Sequence, residues 1–291
     1  MTLQDDLDEA MAHHKNTEGL AINNTFIRRM VTLLALKTTG RFYTRYGICV
    51  PISKRKIVKS GVWVHLTEAA TMKYIAENTS LPVPKVYCSF LHKGRAYIVM
   101  ERIQGVGFPT ASKELSEESL QNIFAQLKEM LQELRSLQPP RGAGVESCVG
   151  GSLYDSRILR KVSRFGPFKT IQEFHLYLRE NCDPSTIQNV EIAQDLEDVK
   201  DMAAKQDGPW PSPVFTHGDL NPYNILVRGG KVIGLIDWEF SGWYPHYWEY
   251  TSAWCGNLLR TDWRDQLCKF LDPFPEEVKM ETTRQRWWGE F

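Results

Sequence analysis

Three side chains in the last third of the chain could serve one reaction. Asp219 and Asn224 stand in the run HGDLNPYNILV that begins at His217, and Asp237 stands in Ile236-Asp237-Trp238-Glu239. Moving a phosphoryl group onto a hydroxyl needs a carboxylate that orients the hydroxyl and accepts its proton. It also needs oxygen ligands that hold Mg²⁺ on the phosphates. This spacing supplies both. Asp219 follows the apolar Val214-Phe215-Thr216 run and can face an acceptor. Asn224 can turn toward a metal, and Asp237, closing a second apolar run, can reach the same ion. The plainer reading of His217-x-Asp219 is a helix cap beside a buried histidine, and only the company of Asn224 and Asp237 favours chemistry.

These groups must be set by short strands. Between Pro213 and Trp238 the runs VFT, NILVRGG and KVIGLID predict strands, with a hairpin turn at Gly229-Gly230. Upstream, residues 42–59 predict two strands and a turn. A helix follows from Leu66, Ala69, Ala70, Tyr74 and Ile75, and the SLPVP connector ends it. KVYCSFLH and RAYIVMERI then predict two strands around a Lys-Gly turn. Beyond Gly105 and Gly107 the pattern turns helical: a long amphipathic helix over 120–134, then helices near 170–181 and 188–206.

The fold class expected is therefore α+β, with a lobe built on an antiparallel sheet and one helix, then a mostly helical lobe. Expected boundaries are a disordered N-terminus over 1–24, one lobe over 25–103 and a second over 104–291. Phe26, Ile27, Met30, Val31, Leu33 and Leu34 form an apolar stripe at helical spacing at the start of the first lobe.

Thirty-five basic and thirty-five acidic residues balance, so no global field draws the chain to nucleic acid or an anionic membrane, and a small molecule is the expected partner. The six cysteines are scattered with no C-x-x-C pair and read as reduced thiols. The acidic N-terminus lacks the features of a secretory signal and no apolar stretch is long enough to span a bilayer, so a cytoplasmic location is expected.

HGDLNPYNILV with IDWE resembles the catalytic and metal-binding loops of the aminoglycoside phosphotransferase family, which has a protein-kinase-like, bilobal fold. The resemblance extends to Ile57-Val58-Lys59, to Glu68 in the next helix, to PVPKVY, and to Val99-Met100-Glu101 as a hinge. The string GWYPHYWEY from Gly242 to Tyr250 is further similar to fungal members. The resemblance implies an ATP- and Mg²⁺-dependent transfer to a hydroxyl of a small-molecule acceptor. By it, Lys59 binds the α- and β-phosphates, Glu68 holds Lys59 as an ion pair, and backbone groups of Met100, Glu101 and Ile103 meet adenine. Asp219 is the implied catalytic base, Asn224 and Asp237 are the metal ligands, and His217 braces the loop.

One part departs from the kinase pattern: before Lys59 only Gly40 and Gly47 stand where a G-x-G-x-x-G loop would cover the phosphates. The alternative is a kinase-fold pseudoenzyme that serves as a binding or scaffold protein. A protein kinase fits less well, because HGD and IDW replace HRD and DFG and no A-P-E segment follows. Lys59 taken alone is an ordinary surface lysine, and Glu239 is either a further metal or substrate contact or a structural acid. Trp243, Tyr247 and Tyr250 recur at helical spacing, as a buried helix face would produce. Glu249, Asp262 and Asp265 could attract a cationic acceptor, but scattered acids on helices usually face water.

Overall fold

Strands β1 (Cys49–Pro51), β2 (Lys56–Gly61), β3 (Val86–His92) and β4 (Arg95–Glu101) pair antiparallel in the order β1-β2-β4-β3. The protein is seen in a computed structural model that describes residues 13–15, 17–158, 164–187 and 193–289. Lys93 and Gly94 both take positive φ (51° and 67°), the geometry of a tight β3–β4 hairpin turn. Because side chains alternate across a strand, the sheet has two distinct faces. Val58, Cys88, Phe90 and Val99 pack together on one, with Leu36 of helix α1 (Phe26–Lys37) against them. Lys59 stands opposite Ile98 in the register, and α2 (Leu66–Asn78) supplies its partner Glu68.

The described residues fall into two compact units, one drawn from 1–130 and 222–240, the other from 131–221 and 241–291. The division differs from the boundary expected after residue 103, because the hairpin near Asp237 returns to the first unit. There β7 (Ile225–Arg228) and β8 (Lys231–Leu235) pair with the two-residue β5 (Val106–Gly107). Short α3 (Phe108–Ala111) follows β5, and α4 (Glu117–Ser136) contains the division point at Met130. Gln126 of α4 grips the hairpin with both ends of its amide: its nitrogen donates to the Gly230 carbonyl (3.2 Å) and its oxygen accepts from the Val232 amide (3.0 Å).

The expectation of disorder over 1–24 does not hold for its described part. Ile22 exchanges hydrogen bonds with Ser89 of β3, through both the Ser89 amide (2.9 Å) and its hydroxyl (3.0 Å), and Glu18–Leu20 forms a 3₁₀ turn. A polar segment with no apolar period is held by backbone pairing, which leaves no mark in composition. Residues 1–12 and 16 lie outside the described residues.

The second unit is helical around one small strand pair. Its helices are α5 (Ile171–Leu178), α6 (Ala193–Asp207), α7 (Trp248–Cys255), α8 (Thr261–Gln266) and α9 (Pro275–Trp288). β6 (Val214–Thr216) pairs antiparallel with β9 (Gly242–Tyr244), so the aromatics from Trp243 to Tyr250 do not share one helix face as their spacing suggested. Trp243 and Tyr244 lie on a strand and only from Trp248 onward is the chain helical; Pro245 divides the two. The burial expected of them is observed: Trp243, Tyr244, Tyr247 and Trp248 are all buried, the last three in the core with Phe165 and Phe174. Gly242 is required by close approach, since a Cβ there would come within 2.7 Å of the Glu146 carbonyl. Among the described residues no helix is long and apolar enough to cross a membrane, and the six cysteines are free thiols.

Candidate active site

In the first unit, four charged side chains from three elements meet. Lys59, on β2, is 5% exposed. Its ammonium lies 3.0 Å from both carboxylate oxygens of Glu68, 2.6 Å from Asp237 and 3.0 Å from Glu239. A lysine ammonium has three protons to donate, and three carboxylates receive them. The partners are not equivalent. The Glu68 side chain is 2% exposed, whereas those of Asp237 and Glu239 are 38% and 29% exposed and open to competition from water or ligand.

Asp237 is placed by a strained backbone. It follows β8, where the Leu235 amide donates to the Pro82 carbonyl (2.8 Å) and the Ile236 amide to the Asn224 carbonyl (3.0 Å). At Asp237 itself φ is +67°, the left-handed region that costs a non-glycine residue about 1–3 kcal/mol and clusters at functional positions. Trp238 is pinned next to it, its indole N–H donating to the Leu235 carbonyl at 2.9 Å. Asn224 is buried in the 3₁₀ turn that opens β7, so the hairpin carries two of the expected metal ligands.

The cluster carries surplus negative charge. Burial disfavours the charged form of Lys59, but Glu68, Asp237 and Glu239 outweigh it and hold its pKa well above the ordinary value. Glu68 moves the same way: burial, reinforced by the carboxylates of Asp237 and Glu239, overcomes the attraction of Lys59 and raises it to about 8. Ligand oxygens of Glu68, Asp237 and Glu239 lie within 4.8 Å of one another. This all-oxygen, over-negative set suits a hard divalent cation such as Mg²⁺.

The hinge residues divide. Met100 stands opposite Ile57, on the sheet face of Lys59, whereas Glu101 stands opposite Lys56 on the other face. Glu101 and Ile103 line a cavity of about 370 Å³ with Arg55, Tyr87, Arg102 and Arg228, and Lys59 is not among its lining residues. The side chain of Glu101 is therefore turned from the cluster. No backbone hydrogen bond from the Ile103 amide is seen among the described residues.

Asp219 lies in the second unit, on the loop after β6. Gly218 has φ +83°, which lets the chain reverse between His217 and Asp219. His217 is fully buried and its Nδ1 accepts from the Asp219 amide at 3.2 Å, the bracing role expected of it. The loop's main anchor is a residue whose sequence context suggested a solvent-facing acid. Glu249 is 1% exposed and accepts the amides of His217 (2.6 Å) and Gly218 (3.0 Å). Burial raises its pKa while those amides and His217 favour the charged form. Arg157 grips the loop as well. It donates to the Gly218 carbonyl (2.6 Å), to Ser252 O (2.8 Å) and, through two nitrogens, to the buried Asp155 (2.7 and 2.5 Å). The Trp263 indole N–H donates to the Leu220 carbonyl at 3.0 Å. Glu249 sits in the Trp-Glu-Tyr run at the head of α7, and an acid flanked by aromatics is a readable sign of burial.

A strand lysine ion-paired to a helix glutamate, with an aspartate following a β-hairpin, is the arrangement of protein-kinase-like folds. Residues 66–277 match the model of the phosphotransferase enzyme family (APH), well over half of the chain, and the chain belongs to that family. An aminoglycoside 3'-phosphotransferase of Enterococcus faecalis is 28% identical over 185 residues, covering 62% of this chain and 61% of the relative. One of Niallia circulans is 25% identical over 194 residues, covering 66% and 64%. The chain thus spans somewhat under two thirds of the length of these curated relatives. Among solved structures, a thermostable mutant of aminoglycoside phosphotransferase APH(4)-Ia, in ternary complex with AMP-PNP and hygromycin B, superposes with a TM-score of 0.55. Identity there is 15%, over 81% of this chain and 78% of that one. The streptomycin–ATP–APH(2")-IIa ternary complex gives a TM-score of 0.54 at 14% identity, over 91% and 88%. The expected α+β, kinase-like fold is the fold observed.

Proposed function

We propose that this protein is an ATP- and Mg²⁺-dependent phosphotransferase that moves the γ-phosphoryl group to a hydroxyl of a small molecule. The observation that carries this reading is the buried Lys59 held by one permanent and two exchangeable carboxylates. Phosphate oxygens can replace Asp237 or Glu239 at the ammonium while Glu68 stays. Lys59 is then a charge clamp on the α- and β-phosphates, positioned before the ligand arrives.

Asp237 and Asn224 would hold the metal, with Glu239 as a third oxygen donor within reach of Asp237. When bound, Mg²⁺ supplies charge neutralisation on the phosphates. Backbone groups of Met100, Glu101 and Ile103 would meet adenine, the Ile103 amide being the donor. Asp219 would orient the acceptor hydroxyl and take its proton. Support for that role is the loop itself, which Glu249, His217 and Arg157 fix from three sides. A rigid base serves proximity catalysis, since misplacement by about 1 Å can cost about a hundredfold in rate. The relatives named for aminoglycosides make polyhydroxylated amino compounds the first acceptors to screen.

The test is the melting temperature of wild type and Asp237→Ala with and without millimolar nucleotide and Mg²⁺. Selective binding to the native state raises stability, by about 2.7 kcal/mol at a hundred times Kd. A Mg²⁺-dependent rise in wild type that the variant lacks is expected. Absence of a rise with both ATP and GTP would overturn the reading.

A further inference from the structure

The charge balance of the whole chain conceals a one-sided segment. Between Glu18 and Glu68 there is no acidic residue at all, while nine lysines and arginines stand there: Arg28, Arg29, Lys37, Arg41, Arg45, Lys54, Arg55, Lys56 and Lys59. Lys59 is the buried one, absorbed by the cluster described above; Arg28, Lys37, Arg41 and Arg45 are exposed.

The same segment carries α1, whose orientation is the reverse of what its sequence leads one to expect. Its inward face is Thr32 with the half-buried Arg29, Leu33 and Leu36. Of the six residues that form the apolar stripe, only Leu33 is turned in. Phe26 (75% exposed), Ile27 (73%), Met30 (50%), Val31 (60%) and Leu34 (62%) face solvent. Spaced as they are, these five form one continuous helix face. Phe42, in the 3₁₀ turn packed on α1, is 88% exposed, and Tyr46 and Ile48 follow it. A water-facing cluster of this size marks an interaction site.

We infer that α1 is an interfacial anchor that lays its outer face on an anionic lipid bilayer. Twelve residues cannot span a membrane, but they suffice for a helix lying in the headgroup plane with large apolar side chains down and cations at its flanks. The absence of any acid across residues 19–67 favours an anionic partner specifically. It also disfavours a second copy of this chain, because pairing this face with itself would oppose like charges. The surface is separate from the Lys59 cluster, whose side of the sheet is the other one.

Flotation of the full chain with two kinds of vesicle tests this: phosphatidylcholine alone, and phosphatidylcholine with about 30% phosphatidylserine. Wild type is expected to float with the anionic vesicles and to remain behind with the neutral ones. Ile27→Asp/Leu34→Asp should abolish flotation with an unchanged melting temperature, because both side chains already face water. Arg28→Glu/Arg41→Glu should weaken binding at least about twentyfold, each cation near an anionic surface being worth about fivefold. Three outcomes overturn the inference: wild type ignoring the anionic vesicles, equal flotation with both kinds, or a double-aspartate variant that floats like wild type. Failure with vesicles joined to retention on a polyglutamate matrix, lost in the double-aspartate variant, would assign the face to an acidic protein instead.

Discussion

The Lys59 cluster and the loop at 217–219 are both built from buried charge, yet they are held in opposite ways. Around Lys59, charges bind charges, and two of the three carboxylates keep access to solvent. Around the loop, charges bind backbone: the buried Glu249 takes two amides and the partly buried Arg157 takes two carbonyls. Ion pairs whose partners can hydrate exchange readily, whereas a buried group hydrogen-bonded to backbone is costly to disturb. The first arrangement suits a site that must release its partners to a ligand, the second a platform that must not move.

The comparison breaks most directly at Arg157. Arg157→Met leaves Asp155, whose side chain has no solvent exposure, without its cation. Breaking a buried pair from one side costs about 3–5 kcal/mol. A fall of that size in urea-unfolding free energy is expected, and a change within error would show that the loop is not locked as described.

The next effect is a pH dependence confined to the second unit. His175, fully buried, hydrogen-bonds the Gln206 carbonyl (2.9 Å) and the Tyr247 hydroxyl (2.7 Å), and burial lowers its pKa from 6.5 to about 4. A depressed pKa means the unfolded chain binds the proton more readily. The stability that neutral His175 contributes is therefore complete above pH 6.5 and lost as pH falls toward 4. The shift corresponds to about 3 kcal/mol. His175→Gln keeps a polar group in place without titrating, and unfolding curves should show a flatter acid limb for it. An identical limb would remove His175 from the account.

Glu249 comes third. Glu249→Ala strands two buried amides and should cost about 2–4 kcal/mol, while Glu249→Gln keeps an acceptor oxygen and should cost roughly half of that. If both variants melt with wild type, the loop has another anchor.

These residues also show where reading the sequence succeeds. The strands that carry Asp219, Asn224 and Asp237 are legible because short apolar runs and a Gly-Gly turn fix their order along the chain, and local order is what sequence carries best. Lys59 was legible only by resemblance. A lysine on a strand is usually at the surface, and its three carboxylates come from as far as Glu239, 180 residues away. Glu249 escaped in part for the same reason: the aromatics on either side of it signal burial, but nothing in the local sequence signals the two backbone amides it binds, 31 and 32 residues away. The outward turn of α1 was equally hidden, since a hydrophobic period states that a face exists and not which way it points. The strand at Gly242–Tyr244 was missed because an aromatic repeat fits either period over so few residues.

The smallest expected effect is the most telling one. Lys59 is ion-paired to three carboxylates, so adding up those pairs would make Lys59→Met severely destabilising. The physics of the cluster argues otherwise. Asp237 and Glu239 are open enough to hydrate once the ammonium is gone, and Glu68, whose pKa burial already raises against the pull of Lys59, is driven further toward its neutral form when that pull is removed. A methionine fills the vacated space without a charge. Loss of about 1 kcal/mol or less in unfolding free energy is expected, together with loss of the nucleotide-dependent rise in melting temperature. A stability loss like that of Arg157→Met would mean that the cluster is a structural lock and that its two exposed acids are not exchangeable. Near-normal stability with nucleotide response abolished would separate the two regions by function: one held together for binding, the other for position.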